Sequence, residues 1–140
     1  MIAENRKARH EYTFLETWTA GISLTGSEVK SIKAGNLDFT GSWCELRSGE
    51  CFCRELYIKE STSAYSHQGK RERKLLLTKK ELKKLNKLMD RGLTIVPVKI
   101  FVNSSGLIKI AIALAKGKKD WDKRHVIKER DLSRALTSEY

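Results

Sequence analysis

The period of the apolar positions switches repeatedly between two and about 3.6 residues along this chain, and each switch predicts a new element. "YTFLETWTAGISL" (12–24) alternates and is rich in aromatic and β-branched residues, which predicts a strand. "TGSEVKSIKAG" (25–35) then changes character. Thr25 and Glu28 have the spacing of a capping box, and Gly35 stands where a left-handed C-terminal residue belongs. A short helix with Val29 and Ile32 inward follows from that pattern. "SWCELRSGECFCRELYIKE" (42–60) reads as a hairpin, two alternating strands around Ser48-Gly49-Glu50. "STSAYSHQGKRERK" (61–74) is polar and basic and reads as a mobile loop, and "LLL" (75–77) is too short to assign alone.

"TKKELKKLNKLMDRG" (78–92) carries the clearest helical pattern. Thr78 and Glu81 form a second capping box, Gly92 is the expected stop, and Leu82, Leu85, Leu88 and Met89 make one apolar stripe. "LTIVPVKIFV" and "LIKIAIALA" form a second hairpin around Asn103-Ser104-Ser105-Gly106. In its second strand Ile108, Ile110, Ile112 and Leu114 share one face, which suits a barrel interior. Lys109, Ala111, Ala113 and Ala115 share the other, where small residues admit a helix or a ligand. The sum is a mainly β fold. Because small antiparallel sheets hide their edges by closing, the expected architecture is a closed antiparallel β-barrel resembling the OB-fold, with two or three short surface helices.

Length and charge add to this picture. At 140 residues the chain fits one domain plus a tail: a barrel over 1–116 with a basic arm at residues 1–10, and a basic C-terminal tail over 117–140. The net charge of +11 and pI near 9.7 point to a polyanionic partner. No apolar run reaches the roughly 18 residues of a membrane span, and "MIAENRKARHEY" lacks the apolar core of a secretory signal. Cys44, Cys51 and Cys53 read as small buried strand residues of a reduced cytosolic protein. The spacing of Cys51 and Cys53 fits a zinc site poorly.

The sequence carries little enzyme chemistry. There is no phosphate-binding loop, no zinc-protease motif and no nucleophile elbow, and His10, His67 and His125 lie far apart in polar, basic contexts. Those histidines read as solvent-facing or base-stacking. Basic segments recur instead at 6–9, 70–74, 79–87 and 116–130, several beside an aromatic or His residue. Phosphates need cations and unpaired bases need flat surfaces, so the interleaving favours RNA. The lysines of 79–87 fit a solvated helix face and a phosphate-facing one equally.

"NRKARHEY" (5–12), "AGISLTGSEVKSIKAG" (20–35), "RERKLLLTKKEL" (71–82) and "AKGKKDWDKRHVIKERD" (115–131) together resemble the small protein B family, the SsrA-binding proteins of bacterial trans-translation. The resemblance spans essentially the whole chain, with the motifs in order. It implies a cytoplasmic bacterial protein that is not an enzyme, needs no cofactor or metal, and acts as a monomer on RNA. Such a protein clamps the tRNA-like domain of transfer-messenger RNA (tmRNA). It delivers that RNA with elongation factor Tu to the A site of stalled ribosomes, its tail entering the decoding centre of the small subunit. Carried over residue by residue, the resemblance places Asn5, Arg6, Lys7, Arg9, His10, Tyr12, Glu28, Lys30, Leu76 and Lys109 at the tmRNA. For Glu28, a purely capping role fits equally well. In the tail it places Lys118, Lys119, Trp121, Asp122, Lys123, Arg124, Lys128 and Arg130 at the ribosome. Thr19 stands where relatives often carry an acid, and Trp121 where relatives can carry His.

The tail "KGKKDWDKRHVIKERD" (116–131) holds seven Lys/Arg and four Asp/Glu. Its apolar surface is too small to offset ordering, so it is expected to be disordered alone and helical on the ribosome. The competing reading is a generic ribosomal or translation-initiation protein with a similar barrel. Charge alone does not separate the two.

Overall fold

The computed structural model describes residues 2–60, 67–89 and 92–118. Strands β1 (Ala3–Glu4), β2 (Tyr12–Ile22), β4 (Trp43–Arg47), β5 (Glu50–Arg54), β7 (Arg73–Leu76), β8 (Leu93–Val102) and β9 (Ile108–Gly117) form one antiparallel sheet in the order β1-β8-β4-β5-β7-β2-β9. Strand β8 also pairs with β9 along most of its length and meets β4 through Cys44 and Ile95, so the order of pairings returns to its start. Strands β3 (Leu37–Asp38) and β6 (Tyr57–Ile58) pair separately. Helices α1 (Arg6–Glu11), α2 (Gly26–Lys33) and α3 (Lys79–Leu88) complete the described elements.

Alternation decides what goes inside. Trp18, Ala20 and Ile22 of β2, Ile110, Ile112 and Leu114 of β9, Ile95 and Ile100 of β8, and Leu75 of β7 turn to a common core. Ile32 of α2 and Leu85 of α3 enter the same core. So do Cys44, Cys51 and Cys53, all free and buried as expected. Hydrogen bonding to Cys51 and Cys53, together with burial, holds the Cys44 thiol well above the usual range, so it stays a neutral filler. A second cluster lies on the opposite face, where Ala111, Ala113 and Ala115 of β9 meet Val96 and Val98 of β8 and Ala8 of α1. Bulges permit this two-sided burial. One falls between Pro97 and Lys99 of β8, where proline lacks only a donor that the bulge does not need, and one between Phe14 and Glu16 of β2.

Several expectations change. The basic arm is folded: Ala3 and Glu4 pair with Lys99 and Ile100, and helix α1 follows. The 42–60 segment holds the β4–β5 hairpin, with Ser48 and Gly49 both at positive φ, but Tyr57 and Ile58 leave it to pair with β3. The part of the 61–74 loop beyond Arg71 is structured, since Arg73 and Lys74 open β7 and give "LLL" its strand. Helix α3 stops at Leu88, with Met89 extended, and Gly92 at positive φ precedes β8 instead of capping the helix. Leu88 is exposed, while Leu82, Leu85 and Met89 hold to the core.

In α2 the capping box forms as predicted, but the fully buried neighbour of Ile32 is Glu28, and Val29 is half-buried. One Glu28 oxygen accepts from Thr25 N at 2.8 Å and from Arg71 Nη2 at 2.6 Å, and the other accepts from Arg73 Nε. Arg73, itself fully buried, also donates to the carbonyls of Leu56 (2.7 Å) and Gly69 (3.1 Å). Arg71 reaches Ser23 O at 3.2 Å. The carboxylate thus ties α2, β7 and the ends of two loops to one point. His67, expected to face solvent or stack, is half-buried and bridges Ser27 Oγ (2.8 Å) to Ile58 O (2.9 Å). A carbonyl can only accept, so Nε2 carries a proton and donates to it.

Burial alone raises the Glu28 pKa. Hydrogen bonds from Arg71 and Thr25 and the charge of Arg73 outweigh that and bring it from 4.5 down to about 2. A folded pKa below the unfolded one stabilises the fold above pH 4.5, and that part is lost as pH falls toward 2. A shift of this size is worth about 3 kcal/mol. Glu28→Gln leaves Arg73 without a counter-charge and is expected to cost about 3–5 kcal/mol in urea unfolding at pH 7. It should also flatten the pH dependence of stability between pH 4.5 and 2. A loss under 1 kcal/mol would show that the cluster is not an anchor.

Candidate nucleic-acid interface

The outer face of β2, β8 and β9, with α1 and the end of β7, gathers most of the sequence-predicted residues that are described. At one end lies α1. Asn5 caps it, Oδ1 accepting from Ala8 N at 3.2 Å, while Nδ2 donates to Pro97 O at 2.7 Å. Asn5 is buried and both ends of its side chain are used within the fold, so it positions the helix and presents little surface of its own. Ala8 sits in the groove left by the small face of β9. With that side turned in, Arg6, Lys7, Arg9 and His10 are exposed. Arg9 pairs with Glu4 at 2.7 Å and Lys7 approaches Glu11 at 4.0 Å. Tyr12 is half-buried against the outer cluster where α1 hands over to β2.

At the other end, the register sets four residues in a row across four strands: Phe101 of β8, Lys109 of β9, Gly21 of β2 and Leu76 of β7. Directly paired residues share a face. Leu76 is 55% exposed, unusual for a leucine on a strand. Gly21 between Leu76 and Lys109 is buried beneath the Leu76 side chain, because a Cβ there would lie 3.2 Å from Leu76 Cβ. Lys99, one outward position further along β8, places its ammonium 5.5 Å from the Phe101 ring centre. Thr19 is the exposed residue beside Gly21 on this face of β2. Between Lys109 and Ala113 the strand runs about 13 Å, so α1 and the row stand at the two ends of one outer face, over the buried Ala111 and Ala113.

The Glu28 anchor holds this surface from behind. Arg73 and Leu75 point inward from β7, which turns Lys74 and Leu76 out. Glu28 itself is 0% exposed and cannot touch an RNA, so of its two sequence readings the capping and anchoring role is the one the geometry supports. Lys30 is exposed on α2. The basic segment 70–74 splits: Arg71 and Arg73 belong to the anchor, and Lys74 pairs with Glu50 at 2.8 Å.

The sequence reading missed Phe101, Lys99 and Gly21. Their signal was the strand register, which alternation alone does not supply. Lys118 is described, its backbone N–H donating to Glu11 O at 2.8 Å. Lys119, Trp121, Asp122, Lys123, Arg124, Lys128 and Arg130 lie outside the described residues. Among the described residues no three His, Cys, Asp or Glu gather into a metal-sized cluster, and no helix is long and apolar enough to cross a membrane.

The outer face of β4, β5 and β7 contrasts with this. Arg47 makes two hydrogen bonds to Glu72 (3.0 and 2.9 Å) and one to Glu45 (3.0 Å) while lying over the Phe52 ring. Arg54 approaches Glu45 and Glu72 and lies over Trp43. Each cation there has a carboxylate.

Comparison with known proteins gives a consistent result. A family model described as SmpB protein matches residues 2–140. The SsrA-binding protein of Flavobacterium johnsoniae is 48% identical over 135 residues, covering 94% of this chain and 89% of that protein. The SsrA-binding protein of Thermus thermophilus is 47% identical over 138 residues, 96% of each. A solved structure described as "tmRNA-SmpB: a journey to the center of the bacterial ribosome" superposes with a TM-score of 0.71 at 47% identity, covering 97% of both chains.

Gly21→Val is expected to displace Leu76. The Leu76 methyl resonances should shift while those of Ile110 and Ile112 hold, with a stability cost of about 1–3 kcal/mol. Unmoved Leu76 resonances would show that Leu76 does not pack over Gly21.

Proposed function

The chain belongs to the SmpB family of SsrA-binding proteins, and from that premise we propose that it binds the tRNA-like domain of tmRNA and brings it to stalled ribosomes in trans-translation. The observation that carries this reading is the outer face framed by α1 and the Leu76–Gly21–Lys109 row. A folded RNA offers phosphates in its helical parts and exposed bases and riboses in its loops. Arg6, Lys7, Arg9, Lys30 and Lys109 suit the former. His10, Tyr12 and Leu76 suit the latter. Asn5 and Glu28 serve from within, by fixing α1 and β7.

On the same reading the returning strand order is a closed barrel of the oligonucleotide-binding kind, supported by the pairing of β8 with both β4 and β9. The protein works as a cytoplasmic monomer on its RNA and carries no enzymatic activity. Elongation factor Tu accompanies the loaded complex. The tail beyond Gly117 enters the decoding centre and mRNA channel. Lys118, Lys119, Lys123, Arg124, Lys128 and Arg130 meet phosphates there, Trp121 stacks, and Asp122 lies within the same contact segment.

The test is binding of labelled tRNA-like RNA, with excess ordinary tRNA as competitor, over a range of salt. Lys109→Gln should weaken binding and reduce the slope of log K against log salt by about 1. Leu76→Ala should weaken it by about 10-fold with the slope unchanged, since an apolar contact releases no counterion. If ordinary tRNA competes equally, a generic ribosomal RNA-binding role replaces this reading.

A further inference from the structure

Helix α3 carries Lys79, Lys80, Lys83, Lys84 and Lys87, all exposed. At 3.6 residues per turn these five fall within about 140° of arc, opposite the side on which Leu82, Leu85 and Met89 hold to the core. Lys84 pairs with Glu16 at 2.6 Å. Lys79, Lys80, Lys83 and Lys87 make no ion pair among the described residues. The strip sets Lys79 against Lys83, Lys80 against Lys84, and Lys83 against Lys87 at four-residue spacing, and each such pair weakens the helix. On the β4–β5–β7 face the same fold neutralises its cations, as Arg47, Arg54 and Lys74 show. A strip left unneutralised at a cost in stability is open to an external anion.

Its position narrows the partner. Helix α3 packs through Leu85 into the interior cluster, whereas α1 packs through Ala8 on the outer one, so the two basic helices dock on different apolar clusters. Glu16, which holds Lys84, pairs in register with Leu114, two residues before Lys116. The strip therefore lies at the end of the sheet from which the chain leaves toward Lys118, Lys119, Lys123 and Arg124.

We propose that the lysine strip of α3 is a second polyanion contact, separate from the α1–Leu76–Lys109 face and continuous with the root of the tail, and that its occupant is the phosphate backbone of ribosomal RNA. The choice of ribosomal RNA rests on the function proposed above; the strip does not. Lysine suits the role because its compact ammonium contacts phosphates as a point charge, without demanding a fixed geometry.

The experiment compares the full chain with the triple variant Lys80→Gln, Lys83→Gln, Lys87→Gln, and with the matching triple Lys→Arg. Three probes are used: isolated small ribosomal subunits, labelled tRNA-like RNA, and vesicles rich in phosphatidylglycerol. The Gln variant removes only like-charge pairs and keeps the Thr78–Glu81 box and Lys84, so its melting temperature should not fall. Its affinity for small subunits should drop about 10-fold or more, with the salt slope smaller by about 2. Arg should restore both, and binding of the tRNA-like RNA should stay within about 2-fold. Unchanged subunit binding would overturn the proposal. So would an equal loss toward the tRNA-like RNA, which would merge the strip with the first face, or a loss confined to vesicles, which would make it a membrane contact. If the unaltered chain fails to prefer the tRNA-like RNA, the proposed function falls, while the subunit comparison still reads the strip.

Discussion

Strand β9 carries Ile110, Ile112 and Leu114 on one side and Ala111, Ala113 and Ala115 on the other, and both sides are buried. That division is the constraint on which the molecule turns. The bulky side gives β2, β4, β5, β7 and β8 a common interior to pack against. The small side lets the backbone of α1 approach closely enough for Ala8 to dock and Asn5 to reach Pro97 O. Without a small face, α1 would stand off and its cations would lose their place at that end of the outer face.

Charge is handled by location. Inside, Glu28 is placed between Arg71 and Arg73, where a single unpaired charge would be costly and a fully bonded one holds three segments together. On the β4–β5–β7 face, cations and carboxylates cancel in pairs and two arginines lie on aromatic rings. Among the described residues, exposed positive charge is left on α1, on α2 at Lys30 and Lys33, and on α3.

Much of this was legible in the sequence. Both capping boxes, the two hairpins and the bulky-versus-small reading of β9 follow from local chemistry, and the local signals agree with the fold. What was not legible depends on distant partners. "NRKAR" reads as an arm because a six-residue helix has little propensity signal. It folds because Asn5 and Ala8 find β8 and β9, about 90 or more residues away. "KRERK" reads as a nucleic-acid patch because nothing local reveals that Glu28, 45 positions earlier than Arg73, absorbs two of its arginines. Gly92 looked like the helix stop because a glycine after a helical run usually is one, yet here its positive φ serves the entry to β8. At the site, the motif residues were in hand, but their grouping with Phe101 and Gly21 came only from the register.

The most direct test of the central claim is a chemical-shift map of the isotopically labelled chain as the tRNA-like RNA is added. The account predicts the largest changes at Arg6 through Tyr12, at Gly21, Leu76, Phe101 and Lys109, with Trp43, Arg47 and Phe52 unmoved. Changes centred on the β4–β5 face, with α1 and Gly21 silent, would contradict it and place the RNA on the other side of the sheet.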